Sequence, residues 1–367
     1  MNVRSMGLLL LLCSLGLHGS ISFAQITAIR AGEIIDPDTG TATRSQVILV
    51  EGHSIKAIGP NIAIPSGATV IDLTNEVVLP GLSSGLAESQ SVALTFDDGP
   101  DMSDKVGLSP ADRNAAILKQ LADAHLKSIL FVTRTDTDPN RNELIRQWGT
   151  QGHEIGNHTA THPDFDEVSL ADYEQQLLTC EKAIQKFPGF TRRFRFPYLK
   201  EGDTVEKRDG FRAFLATHGY HSGAVSIDTS DWYYSQRLIA RLKKQPGADT
   251  TAYRDAYLRH LYDRAQYYDG LSRLVLGRSV SHVLLLHHNL INALYLADVI
   301  RMFRDKGWTL INSEVAFQDP VYALQPNTLP AGQSILWALA KEKGIPGLRF
   351  PGEDDTYEKP ILDRSHL

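Results

Sequence analysis

The segment Thr95-Phe96-Asp97-Asp98-Gly99-Pro100 puts two adjacent carboxylates at the end of an apolar run, Ser91-Val92-Ala93-Leu94-Thr95-Phe96, with a Gly-Pro turn behind them. Like charges this close raise each other's pKa unless something positive lies between them. A divalent cation resolves the conflict, with one acid as its ligand and the other free as a base. Four further polar clusters follow: His158-Thr159-Ala160-Thr161-His162, Arg195-Phe196-Pro197-Tyr198, Asp228-Thr229-Ser230-Asp231-Trp232, and His287-His288 after Leu284-Leu285-Leu286. His158 and His162 are four residues apart, so on one helical turn or a tight loop both imidazoles can meet a single ion.

These clusters need elements that bring them together. Apolar strand candidates lie at 91–96, 128–133, 153–157, 193–197, 222–228, 282–287 and 309–312, and each cluster falls where one of them ends. Amphipathic segments separate most of them. One opens with Ser109-Pro110, an N-cap with proline at the first helical position. Another starts at Ser169 and runs through Tyr173, Leu177, Leu178 and Ala183. This alternation predicts an α/β fold with a mostly parallel sheet and helices outside it. Strands without polar alternation predict a closed, barrel-like sheet. In such barrels functional groups gather at the C-terminal strand ends.

Taken in order, the five clusters resemble the polysaccharide deacetylase family (carbohydrate esterase family 4, the NodB-homology domain) over roughly residues 91 to 315. The resemblance implies a distorted (β/α)7 barrel. It implies that the first acid, Asp97, is the base and the second, Asp98, a metal ligand. Asp98, His158 and His162 would then hold one divalent ion with positions left open for water and substrate, a set that suits Zn²⁺ and that Co²⁺, Ni²⁺ or Fe²⁺ could bind similarly. Arg195 would orient Asp97 and keep it ionised, and the backbone N–H of Tyr198 would help to hold a developing oxyanion. His287 would be the general acid, with Asp228 the first choice for its carboxylate partner and Asp231 the second. Trp232 and Leu285 would wall the acetyl methyl. His288 departs from the family, which often has Asp or Ser there. Residues 233–281 are a longer departure, with helical patterns such as Arg254 to Leu276. Tyr257, Tyr262 and Tyr268 at that spacing read as core rather than as a sugar platform.

Composition sets the outer limits. The chain has 367 residues, 42% hydrophobic and 22% charged, ordinary for a globular protein of one to three domains. A formal charge of -6 argues against a nucleic-acid partner. Residues 1–24, with Arg4, the apolar stretch Leu8 to Leu17 and Ser22-Phe23-Ala24, read as a signal peptide, so the expectation is export to a periplasm or beyond, with no transmembrane segment in the mature chain. Cys180 is then the sole cysteine, which leaves no intramolecular disulfide. Residues 25–82 read as a small β unit, with a hairpin turning at Glu51-Gly52-His53 and further strands at Ala68 to Leu73 and Glu76 to Leu79. This unit resembles the small β-domain that opens metal-dependent amidohydrolases, but Ser83-Ser84-Gly85-Leu86-Ala87-Glu88 stands where their His-x-His ligands would follow. A linker at 83–90, a barrel at 91–318 and a tail at 319–367 with one helix, Ser334 to Lys343, complete the expected domains. The expected activity is metal-dependent removal of acetyl groups, N-acetyl foremost, from a carbohydrate substrate. The rival readings are a non-catalytic carbohydrate-binding protein on the same fold and a hydrolase of a small non-peptide amide.

Overall fold

The computed structural model describes residues 26–35, 41–51, 54–78, 90–102, 105–134, 138–349 and 355–367. The expected signal peptide, the hairpin turn at Gly52-His53 and all but the last residue of the expected linker lie outside them. The chain divides into two compact units, residues 1–86 and 87–367.

The first unit is a four-stranded sheet built from β1 (Ile26–Ile35), β2 (Ala42–Glu51), β3 (Ser54–Gly59) and β4 (Thr69–Val78), in the order β3-β2-β1-β4. The expected hairpin is present, with Ile48 opposite Ile58. The two short strands expected at 68–73 and 76–79 are one continuous strand, β4, parallel to β1. β1 itself was not expected. Its Gly32 and Glu33 interrupt the apolar pattern, and the register to β4 shifts between Ala31 and Glu33.

The second unit begins with β5 (Ser91–Asp97), α1 (Pro110–Asp123), β6 (Ile129–Val132), α2 (Pro139–Thr150), β7 (Glu154–Asn157), α3 (Leu170–Ile184), β8 (Phe190–Phe194) and α4 (Val205–Thr217). It continues with β9 (His221–Ser222), α5 (Asp231–Lys244), α6 (Thr251–Leu276), β10 (Ser281–His287), α7 (Leu290–Asp305) and β11 (Thr309–Leu310). Helix starts follow the capping chemistry. Ser109 accepts the Asp112 N–H with Pro110 at the first helical position, and Ser169 accepts the Asp172 N–H.

All seven strands are parallel and run β10-β5-β6-β7-β8-β9, with β11 paired to the start of β5. The ring is closed. After β9 the chain leaves β8 and reaches β10, where Ile227 bridges Leu284 and its N–H donates to the Val283 carbonyl at 3.0 Å. On the other side β11 fills the foot of the gap between β5 and β6, since the Ile311 N–H donates to Val92 O and the Ser313 N–H to Lys127 O. The expected closed barrel is therefore present. Strand residues on both faces of the sheet, among them Val92, Leu94, Phe96, Leu130, Ile155, Val283 and Leu286, are buried. With every strand parallel, Asp97, Asn157, Phe194 and His287 end on one rim: Asp97 pairs with His287, and Asn157 with Phe194.

Residues 319–349 pack into this unit rather than forming a loose tail. The short helix α8 (Ser313–Ala316) leads to α9 (Ile335–Glu342), close to the expected helix, and the Ile335 N–H donates to Val225 O while Ser334 Oγ donates to Ser226 O. A last helix, α10 (Glu358–Arg364), buries Glu358 and Leu362. Cys180 is buried in α3, its Sγ 3.2 Å from Val132 O, and burial pushes its thiol up to about 12, as a core residue requires.

Candidate active site

Asp97 is the last residue of β5, and Asp98 is the first residue out of the strand, with φ 59°. In a continuing strand the two side chains would point to opposite faces; the left-handed turn instead brings both carboxylates to His158 Nε2, each at 3.7 Å. Asp97 is turned inward and only 2% exposed, with its Oδ1 2.6 Å from Arg195 Nη1. Asp98 points into the cleft. Gly99 closes the turn where a Cβ would lie 2.4 Å from Leu130 Cδ1 and 2.9 Å from His288 Cβ, so a larger residue would have to displace them.

His158 directly follows β7, and the loop to His162 is held by backbone rather than by a helix. Thr159 and His162 both have positive φ, the Thr159 N–H donates to Asn157 Oδ1, and the His162 N–H donates to Thr159 Oγ1. Of the two arrangements that would let His158 and His162 share an ion, the tight loop is the one observed. His158 Nδ1 faces Arg195 O at 2.8 Å, so that nitrogen carries the proton and Nε2 keeps its lone pair for the cleft. Burial first, and then neighbouring His162, hold His158 neutral down to about pH 3.

Asp98 Oδ1 lies 3.7 Å from His158 Nε2 and 3.5 Å from His162 Nε2. One ligand atom from each of Asp98, His158 and His162 falls within 4.8 Å of the other two. Asp98 Oδ1 is buried and has no hydrogen-bond partner among the described residues. A buried carboxylate oxygen that faces the Nε2 atoms of two histidines without a hydrogen bond suits a cation shared among them. The three residues therefore fit a divalent ion, and their two-nitrogen, one-oxygen donor set leaves coordination positions open.

Arg195 lies just past β8 and braces Asp97 from behind. Its Nη1 also donates to Thr95 Oγ1 at 2.9 Å, its Nε donates to Gly223 O at 2.7 Å, and its guanidinium stacks on Phe131 at 4.1 Å. Burial pushes the Asp97 carboxyl up, and Arg195 and then His287 oppose that push. The two arginines that precede Arg195 differ. Arg192 pairs with Glu181 at 2.9 Å, whereas Arg193 lies over the Phe317 ring.

His287 ends β10 opposite Asp97. Its carboxylate partner is Asp231 and not Asp228, which corrects the first choice made from sequence. His287 Nδ1 meets Asp231 Oδ1 at 2.7 Å. Asp231 Oδ2 accepts from the His287 N–H at 2.8 Å, Asn289 Nδ2 at 2.8 Å and Asn292 Nδ2 at 2.7 Å. The physical reason is the turn: Asp231 starts α5, and from there its side chain folds back across the end of β10. Asp228 instead lines the cleft and is itself buried. Burial alone would depress the His287 pKa. The Asp231 carboxylate overrides it, with Asp98 and Asp97 assisting, and raises it to about 10.

A cleft of about 240 Å³ is lined by Asp97, Asp98, His158, His162, Tyr198, Asp228, Trp232, Leu285 and His287. Of the site residues expected from sequence, Arg195 and Asp231 are not on its wall; Arg195 supports Asp97 from behind and Asp231 supports His287. Phe196, Leu199 and Thr229 also line it and were not expected. Tyr198 stands at the rim, half exposed, with φ 55° and its ring 4.5 Å from that of His162. A larger cleft of about 350 Å³ between α4 and residues 317–326 holds no cluster of metal-ligating groups, so size alone would mark the wrong place.

His288 faces away from the cleft. Its Nε2 is 3.0 Å from Asn114 Oδ1, its Nδ1 accepts the Asp101 N–H at 3.4 Å, and burial holds it neutral down to about 4. Its Cβ would be 2.9 Å from one added at Gly99, so it packs beneath the Asp97-Asp98 turn. Asn289 and Asn292 were not singled out from sequence. The available signal was helical: Asn289 is the N-cap of α7 and accepts the Asn292 N–H.

The fold and site together define a parallel α/β barrel with a two-histidine, one-carboxylate centre at its C-terminal rim. Residues 85–214 match the family model described as polysaccharide deacetylase. It is 29% identical over 150 residues to a peptidoglycan-N-acetylglucosamine deacetylase of Bacillus cereus, covering 41% of this chain and 49% of that one. It is 33% identical over 144 residues to a chitooligosaccharide deacetylase of Sinorhizobium fredii, covering 39% of this chain and 60% of that one. These matches thus span about half to three-fifths of the curated relatives. Among solved structures, the chitin deacetylase of Colletotrichum lindemuthianum is 20% identical with a TM-score of 0.43, covering 63% of this chain and 88% of that chain.

Proposed function

We propose that the protein is a metal-dependent hydrolase that removes acetyl groups, N-acetyl foremost, from a carbohydrate. The observation that carries this reading is the buried, unpartnered Asp98 Oδ1 between His158 Nε2 and His162 Nε2, with Asp97 and His287, neighbours at the ends of β5 and β10, on the wall of the same cleft. A divalent cation bound there, Zn²⁺ first among the candidates, with Co²⁺, Ni²⁺ and Fe²⁺ also suited, supplies Lewis acidity to the acetyl carbonyl and to an attacking water.

The chain's own residues do the rest. Asp97 takes the proton of the water as it attacks the acetyl carbon. Arg195 fixes the Asp97 carboxylate in place and keeps it charged. The backbone N–H of Tyr198 contributes a donor to the developing oxyanion. His287, held as imidazolium by Asp231, gives its proton to the leaving nitrogen or oxygen. Trp232 and Leu285 exclude water beside the acetyl methyl, and Asp228 and Thr229 present polar atoms to the sugar. Export to a periplasm or beyond agrees with the apolar leader of the sequence and with cell-wall and chitin-type substrates. No helix among the described residues is long and apolar enough to cross a membrane.

Acetate release from chitin oligomers, peptidoglycan, acetylxylan and poly-N-acetylglucosamine, with and without chelator, tests the reading. Chelator-sensitive release from at least one of them is expected. No release from any, by protein that retains its metal, would favour the non-catalytic alternative.

A further inference from the structure

The segment 233–281 has no counterpart in the family resemblance. The contacts of its long helix, α6, point to a role. Tyr257, His260 and Arg264 stand three and four residues apart on one face of the helix, and all three are buried, at 0%, 7% and 3% exposed. Packing alone would put apolar side chains on such a face. Here each residue instead places a polar group on the turn that carries Asp231 or on that turn's partner. The Tyr257 hydroxyl donates to Asn292 Oδ1 at 2.6 Å. His260 Nε2 accepts the Ser230 N–H at 3.0 Å. Arg264 Nε donates to Asp228 O at 3.4 Å.

The Asn292 contact has the clearest consequence. Asn292 is fully buried, and its Nδ2 donates both to Asp231 Oδ2 at 2.7 Å and to His287 O at 2.9 Å. An amide can be turned either way, and its neighbours decide which end points where. With Tyr257 donating to Oδ1, the Nδ2 end is committed to Asp231 and His287. Without that hydroxyl, Oδ1 is a buried acceptor with no donor, and a rotated amide would set oxygen against the Asp231 carboxylate. His260 acts on the same turn from the other side. Because its Nε2 accepts from Ser230, its Nδ1 carries the proton, facing Glu358 Oε1 of α10 at 3.6 Å.

We propose that the Tyr257–His260–Arg264 face of α6 is a positioning device for the general acid: it fixes the Asp228–Asp231 turn and, through Asn292, the Asp231–His287 pair. The assignment of His287 as acid rests on the deacetylase reading; the positioning of the pair does not. These are positioning residues, since none of the three lines the cleft.

Proton NMR of the full chain tests it without relying on turnover. The His287 Nδ1–H held by Asp231 should give a low-field resonance, assigned by its loss in His287→Gln. Tyr257→Phe and His260→Leu should each broaden or shift that resonance, whereas His260→Gln, which can still accept from the Ser230 N–H, should retain it. On an N-acetyl substrate Tyr257→Phe should lower kcat about tenfold, part of the contribution of a well-placed acid, with KM within about twofold and an activated aryl acetate largely spared. An unchanged resonance in both Tyr257→Phe and His260→Leu would overturn the proposal. So would equal losses on amide and ester. Wild-type protein inactive on every acetylated amide would sink the hydrolase reading alone, and the resonance would still decide this proposal.

Discussion

At the residue scale the candidate centre rests on one ligand atom each from Asp98, His158 and His162, gathered within 4.8 Å. His158 is kept neutral by burial, with its Nδ1 proton tied to the Arg195 carbonyl, so its Nε2 has a lone pair to offer a cation. His158→Ala and His162→Ala should each therefore lose the metal as well as activity, read by elemental analysis of the purified protein; a stoichiometric ion in either variant would refute the ligand set. Asp231 governs the alkaline side. The folded His287 pKa, about 10 against an ordinary 6.5, means that its stabilising charge is fully present below about 6.5 and is lost as pH rises toward 10. Asp231→Asn removes the main group that raises it and leaves the burial that lowers it. The alkaline limb of kcat should move down by at least about one pH unit, as loss of an adjacent opposite charge requires. An unmoved limb would mean that His287 is not the acid. These residues were legible because the chemistry needs particular side chains at strand ends. The choice of Asp228 over Asp231 failed because a strand end says which rim a group reaches, not which way a three-residue turn folds back.

At the element scale the barrel strands were legible wherever apolar runs coincide with burial. β5, β6 and β10 are buried almost throughout, and their sequence runs match them closely. β8 was misplaced by three residues. Its Thr191, Arg192 and Arg193 carry no apolar pattern, so the Phe194-Phe196 alternation that starts at its last residue looked more like the strand. β9 is only two residues long because the chain crosses from β8 to β10 within a few positions, a geometry no periodicity records. A second core holds β8 against α3 and α4 through the rings of Phe165, Tyr173, Phe194, Phe196 and Phe211. Phe211 is fully buried and lies 4.9 Å from Tyr173 and 5.3 Å from Phe194. Phe211→Ala should cost about 3–5 kcal/mol in urea unfolding. A loss below about 1 kcal/mol, the level of a surface change, would show that this cluster does not anchor the strand that leads into Arg195.

At the scale of the whole molecule the chain is two compact units, and the groups of the candidate centre all belong to the second. The parallel ring of that unit closes on its own strands, so a protein lacking residues 26–82 should fold, bind one metal ion and keep its affinity for it. Loss of metal or an unfolded far-ultraviolet spectrum in that truncation would show that the small sheet supports the barrel. The small sheet itself was only partly legible, since β1 and the unbroken β4 depend on pairing between segments distant in sequence rather than on local pattern. The insertion was legible as helical, and Tyr257 and Tyr268 are indeed core, whereas Tyr262, read as core too, is only half-buried. Its contact with the acid turn was not, because hydrogen bonds from a helix to a distant loop leave no periodic trace.

The central claim is that one acid of the Asp97-Asp98 pair is a base and the other a ligand. Acetate release from N-acetylglucosamine oligomers tests it most directly, measured for wild type and Asp97→Asn after metal removal and again after one equivalent of Zn²⁺ is restored. The wild type should regain activity with the ion. Asp97→Asn should take up the ion equally well and remain slower by about 10²- to 10⁴-fold, the contribution of a general base. An Asp97→Asn protein that cannot hold the ion, or that recovers activity with it, would contradict the division of roles.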